Sequence, residues 1–416
     1  MFLGFPFVAT LSISTLICFL FFFPTLDPVV IAQQMAGAVK PAALVAVPMF
    51  IFAAEIMTRG QTANRLLYLV ETFVGHVRGG LTVTTAVTCT LFGAVSGSTQ
   101  ATVVAIGQPL KPKLLAKGYS NSFANALIIN ASDIALLIPP SIGLIIYGVV
   151  SGTSVGELFI GGILPGLLIL VCFCAYGVFY AHRHKINVEE PYSWEARLKA
   201  LKAAIPALGF PVIIVGGIYG GIFSPTEAAA FSVLYAILLE CLVFRELKLS
   251  HLKSAALSTG IITSVVFLLV AAGGAFSWLL SYANIPQLLV AETLNLTAES
   301  SQFKILLTTT IAYFIGCMFA DPIVVIMILT PIFHPIAVDA GIDPVQMGVI
   351  ATLQAAIGSA TPPFGCDIFT AIAIFREKYV DIIRGTPPFI FILLVISALI
   401  ILIPEISLFL RDLAFK

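Results

Sequence analysis

Three aspartates and two serines are the side chains of this sequence that are best placed to bind a cation. Asp133, Asp321 and Asp367 lie in otherwise apolar stretches, where an ionisable group is costly and marks a functional site by default. Ser96 and Ser98 lie together in a further apolar stretch. Because hydroxyl and carboxylate oxygens suit small hard cations, these residues indicate a site for an ion such as sodium.

Two proline pairs interrupt apolar helices next to these side chains. Pro139-Pro140 follows Asp133, and Pro362-Pro363 precedes Asp367. Each pair removes two backbone donors in a row, and freed backbone groups in lipid cost several kcal/mol unless protein or a wet cavity satisfies them. The last carbonyls of a helix that stops there carry partial negative charge, and the first N–H groups of the next helix carry partial positive charge. Such carbonyls suit a cation, whereas such N-termini suit a substrate carboxylate.

The chain carries this arrangement twice. Five Gly or Pro positions recur without a gap 223 residues later. They take Gly93, Pro112, Gly118, Pro139 and Pro140 to Gly316, Pro335, Gly341, Pro362 and Pro363. Two copies of a helical hairpin followed by a broken helix are typical of a secondary transporter, with its site where the breaks meet.

The repeat predicts a pair of cation sites. The first combines the hydroxyls of the hairpin turn with carbonyls at the break, and its residues are Ser96, Ser98, Ala135, Leu137 and Pro140. The offset gives the second, whose residues are Asp321, Gly358, Ala360 and the adjacent Thr361. The competing interpretation is that Ser, Gly and Pro only allow these helices to pack closely and to kink.

Each aspartate also has a purely structural explanation. Asp321 can cap the helix that starts at Pro322, and Asp367 can compensate the dipole of the half helix after the second proline pair. Asp133 either balances a bound cation or pairs with a polar neighbour such as Asn130. The sequence leaves these alternatives open.

Composition places the whole chain in a membrane. Hydrophobic residues make up 59% of it and charged residues 10%, and the mean hydropathy is +1.06, whereas soluble domains are about 25% charged. The net charge of zero gives no reason to invoke nucleic acid. The seven cysteines lie mainly in apolar runs without a metal-binding or redox spacing, which favours a role as small core residues.

Charge at the segment ends predicts an all-α polytopic protein with an inverted repeat. The first hairpin, 79–117, is flanked by basic residues at both ends, so both ends are expected on the cytoplasmic side and the hairpin is expected to be re-entrant. The second hairpin, 303–337, is expected to enter from the outside. The chain divides into scaffold and interfacial helices (1–77), a first transport repeat (78–185, with broken helix 122–149), a surface arm and scaffold helices (186–302), a second transport repeat (303–376, with broken helix 344–375) and a C-terminal helix (377–416).

Four stretches together resemble the large membrane subunit of a tripartite ATP-independent periplasmic (TRAP) transporter, within the wider ion-transporter superfamily. They are Gly93-Ala-Val-Ser-Gly-Ser98, Leu137-Ile-Pro-Pro-Ser-Ile-Gly143, Tyr219-Gly-Gly-Ile-Phe-Ser-Pro-Thr-Glu-Ala-Ala-Ala230 and Thr361-Pro-Pro-Phe-Gly365. They span nearly the whole chain in the family's order.

The resemblance implies a sodium-coupled importer of an organic acid in the bacterial inner membrane, working as an elevator with two or more coupling Na⁺ ions. Its implied partners are a small four-helix membrane subunit and a periplasmic solute-binding protein. Sialic acid and C4-dicarboxylates are the family's common cargoes, and residues 364–367 favour the sugar acid. Because no arginine lies in the intramembrane stretches, a carboxylate would depend on helix N-termini and hydroxyls. The expected substrate-binding residues are Gly97, Thr99, Ser141, Pro363, Phe364, Gly365 and Asp367.

Other functions remain possible from the residues alone. The same fold can act by itself as a sodium- or proton-coupled carboxylate carrier, in which case no binding protein or small subunit would be encoded beside it. A membrane-embedded enzyme would need a catalytic cluster, but the aspartates are spread along the chain and no HExxH or GxSxG motif occurs. The sequence therefore predicts a transporter rather than an enzyme.

Overall fold

The computed structural model describes residues 7–188, 190–285 and 301–415. It is helical, with no strand in these ranges. The helices are α1 (Phe7–Phe22), α2 (Val29–Ala38), α3 (Ala46–Arg59), α4 (Thr62–Val74), α5 (Gly80–Ser96), α6 (Thr99–Ala116), α7 (Asn121–Ser132), α8 (Ile142–Ser151), α9 (Val155–Arg183), α10 (Trp194–Tyr219), α11 (Pro225–Ile237), α12 (Leu249–Tyr282), α13 (Gln302–Phe319), α14 (Pro322–Asp339), α15 (Pro344–Ser359), α16 (Cys366–Phe375), α17 (Tyr379–Ile383), α18 (Pro387–Leu402) and α19 (Glu405–Ala414).

Seven helices in the described ranges are long and apolar enough to cross a membrane, or eight if the bent pair α18–α19 forms one span. This confirms the predicted all-α polytopic class. The division into scaffold and transport repeats stays a prediction. Residues 1–6 of the predicted first apolar segment and residues 286–300 of the third division lie outside the described residues.

The first repeat contains the predicted hairpin and broken helix. α5 and α6 pack together and are joined by a two-residue turn, since Gly97 ends α5 in the left-handed region and Ser98 caps α6. At 17 residues, α5 is about 25 Å long and shorter than a ~30 Å hydrocarbon core. The broken helix consists of α7, a 3₁₀ segment over Asp133–Leu136, and α8. The re-entrant course of the hairpin stays a prediction.

The second repeat follows the same plan. α13 and α14 form its hairpin, and α15 and α16 form its broken helix, with the break at residues 360–365. α13 and α14 have 18 residues each and are long enough to count as spans. The side chain of Asp343 caps α15, with Pro344 in the first turn, a sequence typical of a helix start.

The start of the predicted surface arm and scaffold division (186–302), residues 194–203, is not separate from the helix that follows it. It is the first part of α10, a continuous helix of 26 residues that contains Pro206 and Pro211. Its small residues Ala200 and Ala204 are buried against Leu69 of α4. This part of α10 therefore packs on α4 through its small residues, whereas the apolar side chains of Trp194 and Leu198 stay exposed.

The predicted single C-terminal helix, 377–416, is also interrupted. α18 and α19 meet at an angle of 60°, with Pro404 immediately before α19. α19 packs on α9, and Arg411 donates a 2.6 Å hydrogen bond to Asp343 at the start of α15. These contacts turn the end of the chain back onto the helical body.

Candidate functional site

The first hairpin turn touches the break of its own repeat. Gly97 has a φ of +61°, and a Cβ atom added there would lie 2.3 Å from the carbonyl oxygen of Pro140. The backbone N–H of Ile142 donates a 3.3 Å hydrogen bond to the carbonyl oxygen of Gly97. Only glycine allows this approach, because it has no Cβ and tolerates a positive φ. The turn and the break therefore form one continuous backbone surface.

The serines of this turn are buried or half-buried and have local partners. The Ser96 hydroxyl lies 3.1 Å from the Thr102 hydroxyl and 3.3 Å from the carbonyl oxygen of Ser98. The Ser98 side chain accepts a 3.4 Å hydrogen bond from the backbone N–H of Ala101 and so caps α6. Because a hydroxyl oxygen has two lone pairs, these contacts leave both oxygens able to ligate a cation.

Two residues of the predicted carbonyl set of the first break contact different helices. Ala135 packs directly on the hairpin, because a Cβ added at Gly93 would lie 2.7 Å from that of Ala135. The carbonyl oxygen of Leu137 lies against α9, 2.2 Å from where a Cβ of Gly162 would lie. Ser141 donates a 2.5 Å hydrogen bond to the Leu136 carbonyl and accepts one from Leu144, so it caps α8.

The second turn and break repeat this contact. A Cβ added at Gly358, the repeat equivalent of Ala135, would lie 2.4 Å from the Cβ of Cys317 on α13. The N–H of Phe364 donates a 3.2 Å hydrogen bond to the carbonyl oxygen of Met318. Both hairpins therefore contact the broken helix of their own repeat, and the contacting positions differ by one or two residues from the offset of 223.

The remaining residues of the second predicted site make local contacts. Asp321 accepts a 2.9 Å hydrogen bond from the N–H of Ile323 and caps α14, so its structural role as a cap is present. Thr361 donates a 2.6 Å hydrogen bond to the Ile357 carbonyl. Ala360 is fully buried. Neither the cap nor these contacts test whether Asp321 also ligates an ion.

Asp367 joins the two repeats. Its carboxylate is fully buried and accepts hydrogen bonds from Thr99 on α6, at 2.8 Å, and from Ser359 at the end of α15, at 2.7 Å. Of the predicted substrate-binding residues, Thr99 and Asp367 thus come together although they are 268 positions apart. The other members lie at the first turn and break (Gly97, Ser141) and at the second break (Pro363, Phe364, Gly365). The carbonyl of Pro363 accepts a hydrogen bond from the hydroxyl of Tyr379.

Asp133 is close to this pair but has no partner of its own. It is 1% exposed, and within the described ranges neither of its carboxylate oxygens has a hydrogen-bond partner. Asp367 and Ser359 lie near enough for their side chains to interact with it. Asn130 instead donates to the carbonyl of Ala126, so the pairing of Asp133 with Asn130 that the sequence left open is not formed.

Sequence reasoning missed two residues that shape this region. Ser359 lies between Gly358 and Ala360 of the predicted second site, and its position next to them was the only signal. Glu377 follows α16 and accepts hydrogen bonds from Lys111, at 2.6 Å, and from Asn125, at 2.7 Å. Partial burial by itself raises the pKa of Glu377, but these hydrogen bonds and the charge of Lys111 outweigh it and leave the pKa below its usual 4.5.

Comparisons with known proteins identify the family of the chain. The family model described as "Tripartite ATP-independent periplasmic transporter, DctM component" matches residues 1–406. The chain is 59% identical to the ectoine TRAP transporter large permease protein TeaC of Halomonas elongata, over 100% of this chain and 97% of that protein. It is 58% identical to the ectoine/5-hydroxyectoine large permease protein UehC of Ruegeria pomeroyi, over 100% and 96%.

More distant similarities extend the same pattern. The sialic acid TRAP transporter large permease protein SiaM of Vibrio cholerae is 33% identical, over 92% of this chain and 89% of that protein. The crystal structure of the Alcanivorax borkumensis YdaH transporter shares the fold, with a TM-score of 0.65 at 14% identity, covering 89% of this chain and 86% of that one. The chain therefore belongs to the family of DctM components of tripartite ATP-independent periplasmic transporters, and it is a multi-pass permease of the inner membrane, not an enzyme.

Proposed function

We propose that this permease imports a small carboxylate-bearing solute by sodium-coupled secondary transport. The observation that carries the proposal is the contact of each hairpin with the broken helix of its own repeat, at Gly97–Pro140 in the first repeat and at Cys317–Gly358 and Met318–Phe364 in the second. The first contact lies at the turn that carries the serines, and the second lies in the last turn of α13, just before Asp321. Carbonyl ends bind a cation and N-termini bind an anionic group, so one small region serves both coupled species.

Two or more Na⁺ ions couple transport in this proposal. The first ion uses the turn serines with the carbonyls of the first break (Ser96, Ser98, Ala135, Leu137 and Pro140). The second uses Asp321 with the second break (Gly358, Ala360 and Thr361). In both places a local hydrogen bond already orients the turn oxygen, at Ser98 and at Asp321. A preformed ligand loses less entropy when the ion arrives.

The substrate we propose is ectoine or a close chemical relative. The two relatives at 59% and 58% identity carry ectoine in their names, whereas the relative named for sialic acid is 33% identical. The comparisons therefore do not support sialic acid or a C4-dicarboxylate as the cargo. Ectoine is a small zwitterion with one carboxylate and one cyclic amidinium. Its carboxylate suits the N-termini of α6 and α8, which begin beside the first contact, and this choice needs no arginine.

We also propose that the hairpins and broken helices move together against the remaining helices as an elevator. The family works with a periplasmic binding protein and a small membrane subunit, and this permease is proposed to receive its substrate from the former and to be anchored by the latter. The contacts between each turn and its break, and the link from Thr99 to Asp367, favour movement of these elements as one body.

Uptake into proteoliposomes tests the proposal. The full chain is reconstituted with the small subunit and the binding protein of its own system, and uptake of radiolabelled ectoine is followed with and without an inward sodium gradient. Uptake should require both sodium and the binding protein. Replacing Ser96 and Ser98 by Ala should raise the sodium concentration for half-maximal uptake about thirtyfold, if each lost oxygen contributes ~1 kcal/mol.

The Ser193→Ala variant is the matched control for that double variant. Ser193 caps α10 with an accepted hydrogen bond from Ala196, so the variant loses a serine cap at an exposed site without losing an oxygen at the hairpin turn. If uptake by the wild-type permease did not depend on sodium, sodium coupling would be refuted. A well-folded Ser96→Ala/Ser98→Ala protein with the sodium dependence of Ser193→Ala would show that the serines only pack and cap.

A further inference from the structure

The carboxyl group of Asp133 is buried, and none of the described residues forms an ion pair with it. It starts the 3₁₀ segment of the first broken helix, is 1% exposed, and has no hydrogen-bond partner for either oxygen in the described ranges. A buried carboxylate without a partner is strongly destabilising. The adjacent polar side chain is satisfied locally, because Ser132 donates a 2.8 Å hydrogen bond to the Ile128 carbonyl. The unpartnered carboxyl group is therefore a candidate ligand for a positive ion.

Its charged neighbour makes the imbalance larger. Asp367 is also fully buried and interacts with Asp133, but its own oxygens accept hydrogen bonds from Thr99 and Ser359. The two hydroxyl donors fix Asp367 and offset part of its charge, whereas neither oxygen of Asp133 has a hydrogen-bond partner in the described ranges. Within the ranges that the structure describes, no lysine, arginine or histidine forms an ion pair with either aspartate. A cation bound between the two carboxyl groups would supply the positive charge that these side chains do not.

We propose that Asp133 and Asp367 bind a further Na⁺ ion, in addition to the two ions of the repeat sites, at the junction between the 3₁₀ segment of the first broken helix and the second broken helix. Both oxygens of Asp133 and one oxygen of Asp367 ligate the ion, and the Ser359 hydroxyl lies beside it. This inference rests on the proposed sodium coupling. It assigns to Asp133 a role that neither repeat site contains.

The repeat itself distinguishes this site from the other two. The offset of 223 takes Asp133 to Ala356 and Asp367 back to Leu144, so neither carboxylate has an acidic counterpart. The site is therefore not a third copy of the hairpin sites. It lies where the two repeats meet, and an ion there ties both broken helices together through carboxylates from each.

The enclosure of the site selects the kind of ligand. The two carboxylates are 1% and 0% exposed, so a solute of many atoms, such as an amidinium-bearing substrate, has no room to contact them in this conformation. A dehydrated monovalent ion needs only a few oxygens and little volume. Of the cations in the proposed function, Na⁺ is the one that fits.

The test measures ion stoichiometry. Co-reconstituted permease takes up radiolabelled ectoine and ²²Na⁺ in parallel, and the ratio of the two fluxes is compared between wild type, Asp133→Asn and Asp412→Asn. Asp412 is an exposed carboxylate at the C-terminal end, so its variant is a control for loss of one acidic group. We expect one Na⁺ fewer per substrate in Asp133→Asn and an unchanged ratio in Asp412→Asn.

Wild-type protein supplies a second measurement that does not depend on a variant folding. Equilibrium dialysis of the full chain in detergent against ²²Na⁺ should saturate with one ion more than the two repeat sites provide. Saturation at two ions or fewer, or an unchanged flux ratio in well-folded Asp133→Asn, would overturn the third site. If uptake by the wild-type permease does not depend on sodium, both the third site and the proposed function are refuted. Sodium-dependent uptake with an unchanged ratio in the variant refutes only this inference.

Discussion

Gly97→Ala is the most direct perturbation of the contact between the first hairpin turn and its break. A Cβ at this position would lie 2.3 Å from the Pro140 carbonyl oxygen, whereas ordinary contact begins at 3.4 Å. The two backbones must therefore separate by about 1 Å, and the positive φ adds about 1–2 kcal/mol of strain. Metal-ligand distances tolerate only about 0.2 Å, so the serine and carbonyl ligands of the first ion would no longer meet.

Gly152→Ala separates the clash from the strain. Gly152 ends α8 with a φ of +76°, and nothing lies within 4 Å of its added Cβ. The positive φ should cost both variants about 1–2 kcal/mol of stability in thermal unfolding, and Gly97→Ala should lose more because of its clash with the Pro140 carbonyl. Only Gly97→Ala should raise the sodium concentration for half-maximal uptake, by about tenfold for each ~1.4 kcal/mol of ion binding that is lost. If both variants show the same sodium dependence, the turn does not position the ion and the reasoning is refuted.

Three further predictions concern the second repeat and its link to the first hairpin. Asp321→Asn keeps a side chain that caps α14 almost as well but removes a negative ligand. Uptake should therefore fall sharply, while membrane insertion and thermal stability stay near wild type. A variant with the sodium dependence of wild type would show that Asp321 acts only as a helix cap. The Lys111–Glu377 pair, in which the pKa of Glu377 is lowered, should stabilise the protein at a pH above the ordinary Glu pKa. This contribution should be lost as the pH falls through the lowered pKa, so the difference in unfolding free energy between wild type and Glu377→Gln should shrink on acidification. A difference that grows would contradict the stabilising role of the pair. Tyr379→Phe removes the 2.9 Å hydrogen bond to the Pro363 carbonyl and should lower the unfolding free energy by about 1 kcal/mol. A denaturation series on the variant and the wild type measures this difference. An unchanged unfolding free energy would mean that the hydrogen bond does not stabilise the second break.

Local sequence determined the elements that form the candidate site. Gly97 with Ser98 ends one helix and starts the next, and each proline pair interrupts a helix because it removes two backbone donors. These effects act over a few residues, so the hairpin helices, both breaks and the serine cap of α8 could be predicted from the chain alone. The spacing of 223 revealed that the arrangement occurs twice, and the four quoted stretches indicated the family.

Only the tertiary structure decided which side chains meet. Thr99 reaches Asp367 across 268 positions, and Lys111 reaches Glu377 across 266, because packing of the two repeats brings these helices together. The continuous α10 and the bend before α19 likewise follow from contacts with α4 and α9, which local propensity does not contain. The surroundings of Asp133 are a property of the packed interior as well. A sequence places a carboxyl group in an apolar stretch, but its burial beside Asp367 follows only from the side chains that the fold brings near.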